Sequence, residues 1–188
     1  MTQLILASAS PRRKEILERA GISFTIMQPD EKESNFSNLP VSKLVKALAK
    51  EKAQNVVNKI DRDCLVLGAD TLVYLKGKIL GKPSSIQDAY AMLESLSGRT
   101  HTVISGVCLL TKEGFERVFT VKTKVKFMKL SKKDIEDYIA TKEPFDKAGA
   151  YGIQGYASKF IKKIKGDYYN VMGLPLSSVY SVIKEIYG

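Results

Sequence analysis

The chain opens with a short apolar run, Leu4-Ile5-Leu6-Ala7, which breaks into Ser8-Ala9-Ser10-Pro11 and then two adjacent arginines, Arg12-Arg13. That order reads as a strand, a tight turn and a helix start. Ser10 is a preferred helix N-cap, and Pro11 suits the first helical position because the N–H it lacks would have no partner there. Lys14-Glu15-Ile16-Leu17 then continues with helical spacing. Backbone N–H groups left open at such a terminus favour an anion. Two hydroxyls and a guanidinium fork beside them make Ser8, Ser10, Arg12 and Arg13 a candidate phosphate cradle. The same residues also read as an ordinary capped helix with two solvated arginines, so the choice depends on the rest of the chain.

With 188 residues and 44% hydrophobic content, the chain can bury a sizeable core as a single domain spanning residues 1–188, with room for two lobes. No segment approaches the roughly 20 apolar residues of a membrane span, and the N-terminus lacks a basic-then-apolar signal layout. A cytoplasmic location is the expectation. Cys64 and Cys108 lie in apolar, strand-like runs with no Cys or His at metal spacing, which makes them buried thiols rather than a disulfide, a zinc site or nucleophiles. The net charge of +10 raises the question of nucleic acid, but lysines make up 24 of the 30 basic residues and are spread along the whole length. The densest cluster, Val121-Lys122-Thr123-Lys124-Val125-Lys126-Phe127, alternates with period two. It therefore reads as a strand with a solvated lysine face over an apolar one, and a nucleic-acid partner is not expected.

Periodicity and breakers predict a mixed α/β fold. The elements are a strand over 3–7, a helix over 11–20, a short strand near 23–27, a polar loop over 29–38 and a helix near 41–59. Apolar runs at 64–67 and 72–75 flank Gly68-Ala69-Asp70-Thr71, and a Lys76-Gly77-Lys78 turn follows. Ser85 with Asp88, and Ser131 with Asp134, are capping-box starts for helices to about 96 and 141. Segments 102–111 and 115–130 form a hairpin around Lys112-Glu113-Gly114. A Gly-rich return at 148–155, a strand at 159–165 and a helix at 175–186 complete the pattern.

Several polar residues stand where packing alone would not put them. Lys52 falls on the stripe Leu44, Leu48, Val56 of the second long helix, as a snorkelling stem or as a functional ammonium. Asp70 follows an apolar run, where ligands bind in α/β sheets, or else acts as a turn residue. Lys82, between Gly81 and Pro83, could hold phosphate. Glu33 could join Asp70 as an oxygen ligand for a hard divalent cation, or be a solvated loop residue. Gln154, flanked by Gly152 and Gly155, could meet a planar ligand. His101 reads as a structural hydrogen-bonding residue.

Taken in order, these segments resemble the Maf (septum formation protein) family of nucleoside triphosphate pyrophosphatases over nearly the full length. The match includes Leu6-Ala7-Ser8-Ala9-Ser10-Pro11-Arg12-Arg13, Pro29-Asp30 with Glu33, Ala49-Lys50-Glu51-Lys52-Ala53 and Gly68-Ala69-Asp70-Thr71. It continues through Gly81-Lys82-Pro83, Ser97-Gly98-Arg99-Thr100-His101, the run from Asp146 to Gly155, and Gly173-Leu174-Pro175. The resemblance implies the fold of inosine triphosphate pyrophosphatases, an elongated mixed sheet with flanking helices in two lobes around a nucleotide cleft. It also implies hydrolysis of a nucleoside triphosphate to monophosphate and pyrophosphate with a divalent metal, Mg²⁺ or Mn²⁺, and a homodimer. The Asp146 to Gly155 segment is similar to the branch that prefers dTTP and UTP. In that branch Asp70 is the proton acceptor, and Arg12, Thr71 and Gln154 are linked to base selectivity. The loop Asp30-Glu31-Lys32-Glu33 leaves Glu31 as an alternative to Glu33.

Together these readings give one expected mechanism. Ser8, Ser10, Arg12 and Arg13 hold the phosphate tail, while Lys52 and Lys82 add positive charge. Asp70 acts as base or as metal ligand with Glu33, and Thr71 and Gln154 meet the base. Arg12 and Arg13 stand about 100° apart around the helix, so one is expected to face the triphosphate and the other the base or the groups that support the ligand-contacting residues. The competing expectation is a non-catalytic cell-division regulator that binds nucleic acid or a protein through the basic surface, including Lys122, Lys124 and Lys126.

Overall fold

The computed structural model describes residues 3–30, Phe36 and residues 39–187. Seven strands form a mixed sheet: β1 (Gln3–Ala7), β2 (Thr25–Ile26), β3 (Cys64–Leu75), β4 (Lys78–Leu80), β5 (Thr100–Leu110), β6 (Glu116–Phe127) and β7 (Ile161–Lys165). Their order is β2-β1-β3-β5-β6-β7, with β4 paired to β3. The helices are α1 (Pro11–Arg19), α2 (Val41–Val57), α3 (Ile86–Leu96), α4 (Lys132–Ala140), α5 (Tyr168–Met172) and α6 (Leu176–Tyr187). The mixed α/β class is as expected. The chain divides into two compact units, one of Met1–Thr71, Ser105–Val121 and Gly173–Gly188, the other of Leu72–Ile104 and Lys122–Met172.

In the first unit β1 pairs in parallel with β2 and with β3. Its core gathers Ile5, Ala7, Ala49, Ala53, Val56, Cys64, Val66, Cys108 and Leu110. Both cysteines are free and buried, and burial pushes the Cys108 thiol up to about 12, so thiolate chemistry has no footing there. The helix α2 lies unusually close to the sheet at two glycines. A Cβ at Gly68 would overlap the Ala49 carbonyl oxygen and come within 2.8 Å of the Ala53 Cβ, and one at Gly106 would overlap the Val45 carbonyl. The small residues on both sides let backbone approach backbone.

One element differs from its sequence reading. The runs at 64–67 and 72–75 are a single strand, β3, so Asp70 sits inside it rather than at a strand end. The strand continues because Val73 and Leu75 resume a buried alternation, and β4 folds back on this half with Val73 opposite Leu80. Lys76 (φ 46°) and Gly77 (φ 88°) make the connecting turn, the left-handed pair that matches strand twist in a tight hairpin.

In the second unit the core includes Val73, Leu93, Val103, Phe127, Tyr138, Tyr151 and Phe160. Both predicted caps form. Ser131 and Asp134 make the full reciprocal box, while Ser85 accepts from the Asp88 N–H and the Asp88 carboxylate turns to Ser84 instead. The period-two strand is also as expected, with Thr123, Val125 and Phe127 buried and Lys122 and Lys124 exposed. His101 is buried against Phe127 and Tyr151, its Nε2 lying 2.6 Å from the Tyr151 hydroxyl. Burial lowers its pKa from 6.5 to about 4.

Two outcomes follow from this packing. Gly68→Ala forces a methyl group into backbone and should cost about 1–3 kcal/mol, read as a lower midpoint in urea unfolding, because the helix cannot retreat without losing its core contacts. A variant of unchanged stability would contradict the close approach. His101 gives the acid limb its sign. The unfolded chain takes up this proton near pH 6.5 and the folded chain only near pH 4, so stability falls as pH drops through that window, by up to about 3 kcal/mol, and levels off below it. In His101→Gln this part of the slope should vanish, measured as urea-unfolding free energies between pH 7 and pH 4.

Candidate active site

The first unit assembles most of the residues singled out in the sequence. Ser10 occupies the N-cap of α1, with Pro11 next, but its hydroxyl makes no capping bond. The nearly buried Ser8 hydroxyl instead accepts from the Ser10 N–H at 3.2 Å and from Arg13 Nη1 at 2.9 Å. The helix therefore starts without a side-chain cap over its first N–H groups, the condition in which a terminus attracts an anion.

Arg13 turns its guanidinium into the protein. Nε donates to the Gly173 carbonyl at 2.9 Å and Nη2 to Thr71 Oγ1 at 3.4 Å. Thr71 Oγ1 in turn lies 2.8 Å from Ser105 Oγ and donates to the Gly173 carbonyl at 3.2 Å. Burial depresses the Arg13 pKa, the charge of Asp70 opposes that depression, and Arg12 adds to it. Guanidinium remains charged in proteins, so a full positive charge is held here by Ser8, Thr71 and Gly173. Arg12, half-buried, stands at the next position around the helix.

Lys52 and Asp70 meet across the helix-on-sheet contact, Nζ lying 2.5 Å from Oδ1, with the side chains 20% and 14% exposed. Gly68 and Asp70 share one face of β3 by the period of two. The close seat of α2 on Gly68 thus brings the Lys52 ammonium down to the carboxylate. Lys52 flanks the buried stripe of α2, which runs through Val45, Ala49, Ala53 and Val56. Asp70 accordingly lies near two cations, Lys52 and Arg13, and local charge stays positive, as a polyphosphate requires.

The second unit carries the remaining positions. Lys82 is exposed, between Gly81, whose carbonyl accepts from the Gly149 N–H at 2.9 Å, and the buried Pro83. Gln154 is exposed between the buried Ile153 and Gly155. Glu33 and its alternative Glu31 lie outside the described residues. Among the described residues no three His, Cys, Asp or Glu side chains gather to hold a metal ion. The lysine strand gains neighbours, since Lys165 stands opposite Lys124 and Lys163 opposite Lys126. Lysines on the edge strand β7 have a structural reason, since they discourage pairing with another sheet edge.

Sequence reasoning missed Gly173 as a partner of Arg13 and Ser105 as a partner of Thr71. Gly173 carries a readable signal, a glycine ahead of Leu174-Pro175 at a helix start, and its φ is 121°. Ser105 carries none, being one hydroxyl in an apolar strand.

A family model described as Maf-like protein matches residues 3–186. A "dTTP/UTP pyrophosphatase" of Alkaliphilus metalliredigens is 49% identical over 186 residues, covering 98% of this chain and 96% of the relative. A protein of the same description from Moorella thermoacetica is 51% identical over 180 residues, covering 95% and 92%. Among solved structures, a HAM1 protein from Coxiella burnetii superposes with a TM-score of 0.59 at 14% identity, covering 98% of this chain and all of that one. That likeness extends to the fold alone. No described helix is long and apolar enough to cross a membrane.

Proposed function

The chain belongs to the Maf family, and on that premise we propose that it is a nucleoside triphosphate pyrophosphatase that hydrolyses dTTP and UTP to the monophosphate and pyrophosphate. Relatives at about half identity over nearly their whole length bear the name of that activity. The observation that carries the reading into chemistry is the half-buried Lys52–Asp70 pair beside the Arg13 charge.

Lys52 engages Oδ1 of Asp70 and leaves Oδ2 to accept a proton from water. The water oxygen forms a bond to the α-phosphorus as the bond to the bridging oxygen of the β-phosphate breaks, and pyrophosphate leaves. The proton remains on Asp70 until solvent removes it. The Lys52 ammonium, beside the same carboxylate, meets negative charge growing on the phosphate oxygens. Ser10 and the first turn of α1 receive the phosphate tail with Arg12. Arg13, bonded to Ser8, Thr71 and Gly173, sets the shape of that turn. Lys82 as a phosphate ligand, and Thr71, Arg12 and Gln154 as base-selecting residues, carry over from the family resemblance as proposals.

Nucleoside triphosphate pyrophosphatases generally use a divalent cation. One half-buried carboxylate plus substrate phosphate oxygens suits a hard ion, since Mg²⁺ in phosphate chemistry typically takes one or two carboxylates and keeps its remaining positions for other oxygens. As the alternative to its part as base, Asp70 would hold Mg²⁺ or Mn²⁺, with Glu33 as the family's second carboxylate, and the bound ion would supply charge neutralisation at the phosphates. A cytoplasmic location and a homodimer belong to the same proposal.

Incubation with a nucleotide panel and Mg²⁺ or Mn²⁺ should release pyrophosphate and monophosphate from UTP and dTTP, whereas release of orthophosphate would overturn the reading. Asp70→Asn should lower kcat by about 10²–10⁴-fold, the usual weight of a positioned base. Near-normal turnover in that variant would remove Asp70 from the mechanism.

A further inference from the structure

Gln154 is exposed, and its amide makes no hydrogen bond to any described residue, yet the backbone that carries it is fixed on both sides. Upstream, the Gly149 N–H is held by the Gly81 carbonyl, and Tyr151 is buried against His101. Downstream, the fixing group is a carboxylate. Oε2 of Glu143 accepts from the Tyr156 N–H at 2.8 Å, and Oε1 accepts from the Tyr138 hydroxyl at 3.0 Å.

Glu143 also explains the glycine that follows Gln154. A Cβ at Gly155 would fall on the Glu143 carboxylate. The φ of Gly155, −89°, is open to any residue, so what a Cβ here would disturb is not the backbone torsion but the seat of the Glu143 carboxylate. The matching glycine on the other side, Gly152, is pressed by Lys147, since a Cβ there would come within 2.8 Å of Lys147 Cε. Lys147 is itself tied to the Glu143 main chain, Nζ donating to the Glu143 carbonyl at 2.8 Å. Thus one short segment, from Glu143 to Lys147, grips both glycines around Ile153-Gln154. The grip is rigid at its root, because Tyr138 belongs to α4 and is 2% exposed.

We propose that Glu143 is a positioning residue. Its carboxylate, seated on Gly155 and bonded to the Tyr156 N–H, aims the Gln154 amide and thereby sets the preference for uracil and thymine over cytosine. This rests on Gln154 as the base reader. In one orientation of its amide Gln154 pairs with O4 and N3–H of uracil; cytosine presents the reversed donor and acceptor and needs the amide turned by 180°, so the preference rests on which orientation the side chain can bring to the base. Discrimination of that kind depends on direction, and a glycine-flanked side chain has none unless its backbone is held. A carboxylate serves because hydrogen bonds to an ionised acceptor are shorter and stronger than neutral ones.

The test compares kcat/KM for UTP and CTP in Glu143→Ala, Glu143→Gln, Gln154→Ala and the Glu143→Ala/Gln154→Ala double variant, with thermal unfolding of each. Gln154→Ala should abolish most of the UTP preference. Glu143→Ala should lower the UTP:CTP ratio about tenfold while remaining folded, equivalent to roughly 1.4 kcal/mol of discrimination. Glu143→Gln, which keeps an oxygen for the Tyr156 N–H, should restore the ratio to within about twofold. The double variant should be no less selective than Gln154→Ala, since Glu143 acts through Gln154. If Glu143→Ala does not fold, Gly155→Ala displaces the carboxylate without removing it and should show the same loss. A wild-type ratio in Glu143→Ala, or in Gly155→Ala where Glu143→Ala does not fold, alongside a lost ratio in Gln154→Ala, overturns the positioning role alone, as do additive losses in the double variant. A wild-type ratio in Gln154→Ala overturns the base-reading role, and the proposal falls with it.

Discussion

The contact between α2 and the sheet at Gly68 and Gly106 is the constraint on which the chemistry of the first unit depends. A helix can approach a strand this closely only where the strand has no side chain in the way, and both glycines face backbone carbonyls of the helix. The helix answers with Ala49 and Ala53 at the same contact. Lys52, one residue from Ala53, is thereby lowered until its ammonium reaches Asp70, two residues along the strand from Gly68. A larger residue at Gly68 would lift the helix and separate the pair. The Lys52–Asp70 ion pair is thus a consequence of packing that contains no charged atom.

Arg13 supplies the second half of the arrangement. Burying a guanidinium costs several kcal/mol unless its donors are engaged, and each of its three nitrogens is. The groups that engage it come from four distant stretches of sequence, at Ser8, Thr71, Ser105 through Thr71, and Gly173. Thr71, Ser105 and Gly173 are also the residues at which the chain leaves or re-enters the first unit. The local sum of charge, Lys52 and Arg13 against Asp70, is +1 before Arg12 is counted. A polyphosphate is attracted to such a site, and Lys52 holds Asp70 through one oxygen, Oδ1.

What could be read from the sequence follows the range of the signals. Ser10-Pro11 marked the start of α1, the box of Ser131 and Asp134 marked α4, and the alternation from Val121 to Phe127 marked the buried and exposed faces of β6. Each is a local rule whose cause lies within a few residues. Lys52 was visible as a misfit on an apolar stripe, but its partner was not, because the pair is made by a helix-to-strand distance that depends on Gly68. Asp70, in Gly68-Ala69-Asp70-Thr71, interrupts the apolar pattern in the sequence, although the two runs that flank it belong to one strand. The five-residue α5 and the short helical turns at Glu143–Asp146 and Tyr156–Phe160 lack the periodicity that a longer helix would show. Arg13 reads in the sequence as part of a phosphate cradle at a helix start, and its bonds to Gly173 and Thr71, which span 160 and 58 residues, leave no local signal.

Gly68 and Gly155 use the same device for different ends. At each, the space of a missing Cβ is filled by an oxygen from elsewhere in the chain. At Gly68 the oxygen belongs to helix backbone, so the contact cannot relax without moving a whole element, and its effect is to set a distance. At Gly155 the oxygen belongs to the Glu143 side chain, which has rotatable bonds and could yield were it not also bonded to Tyr138 and the Tyr156 N–H. Its effect is to set a direction. Perturbing the first should therefore disturb stability together with the Lys52–Asp70 pair, while perturbing the second should leave the fold standing and move the Gln154 amide alone. The division follows from what occupies the vacant Cβ position, and neither glycine on its own distinguishes the two cases.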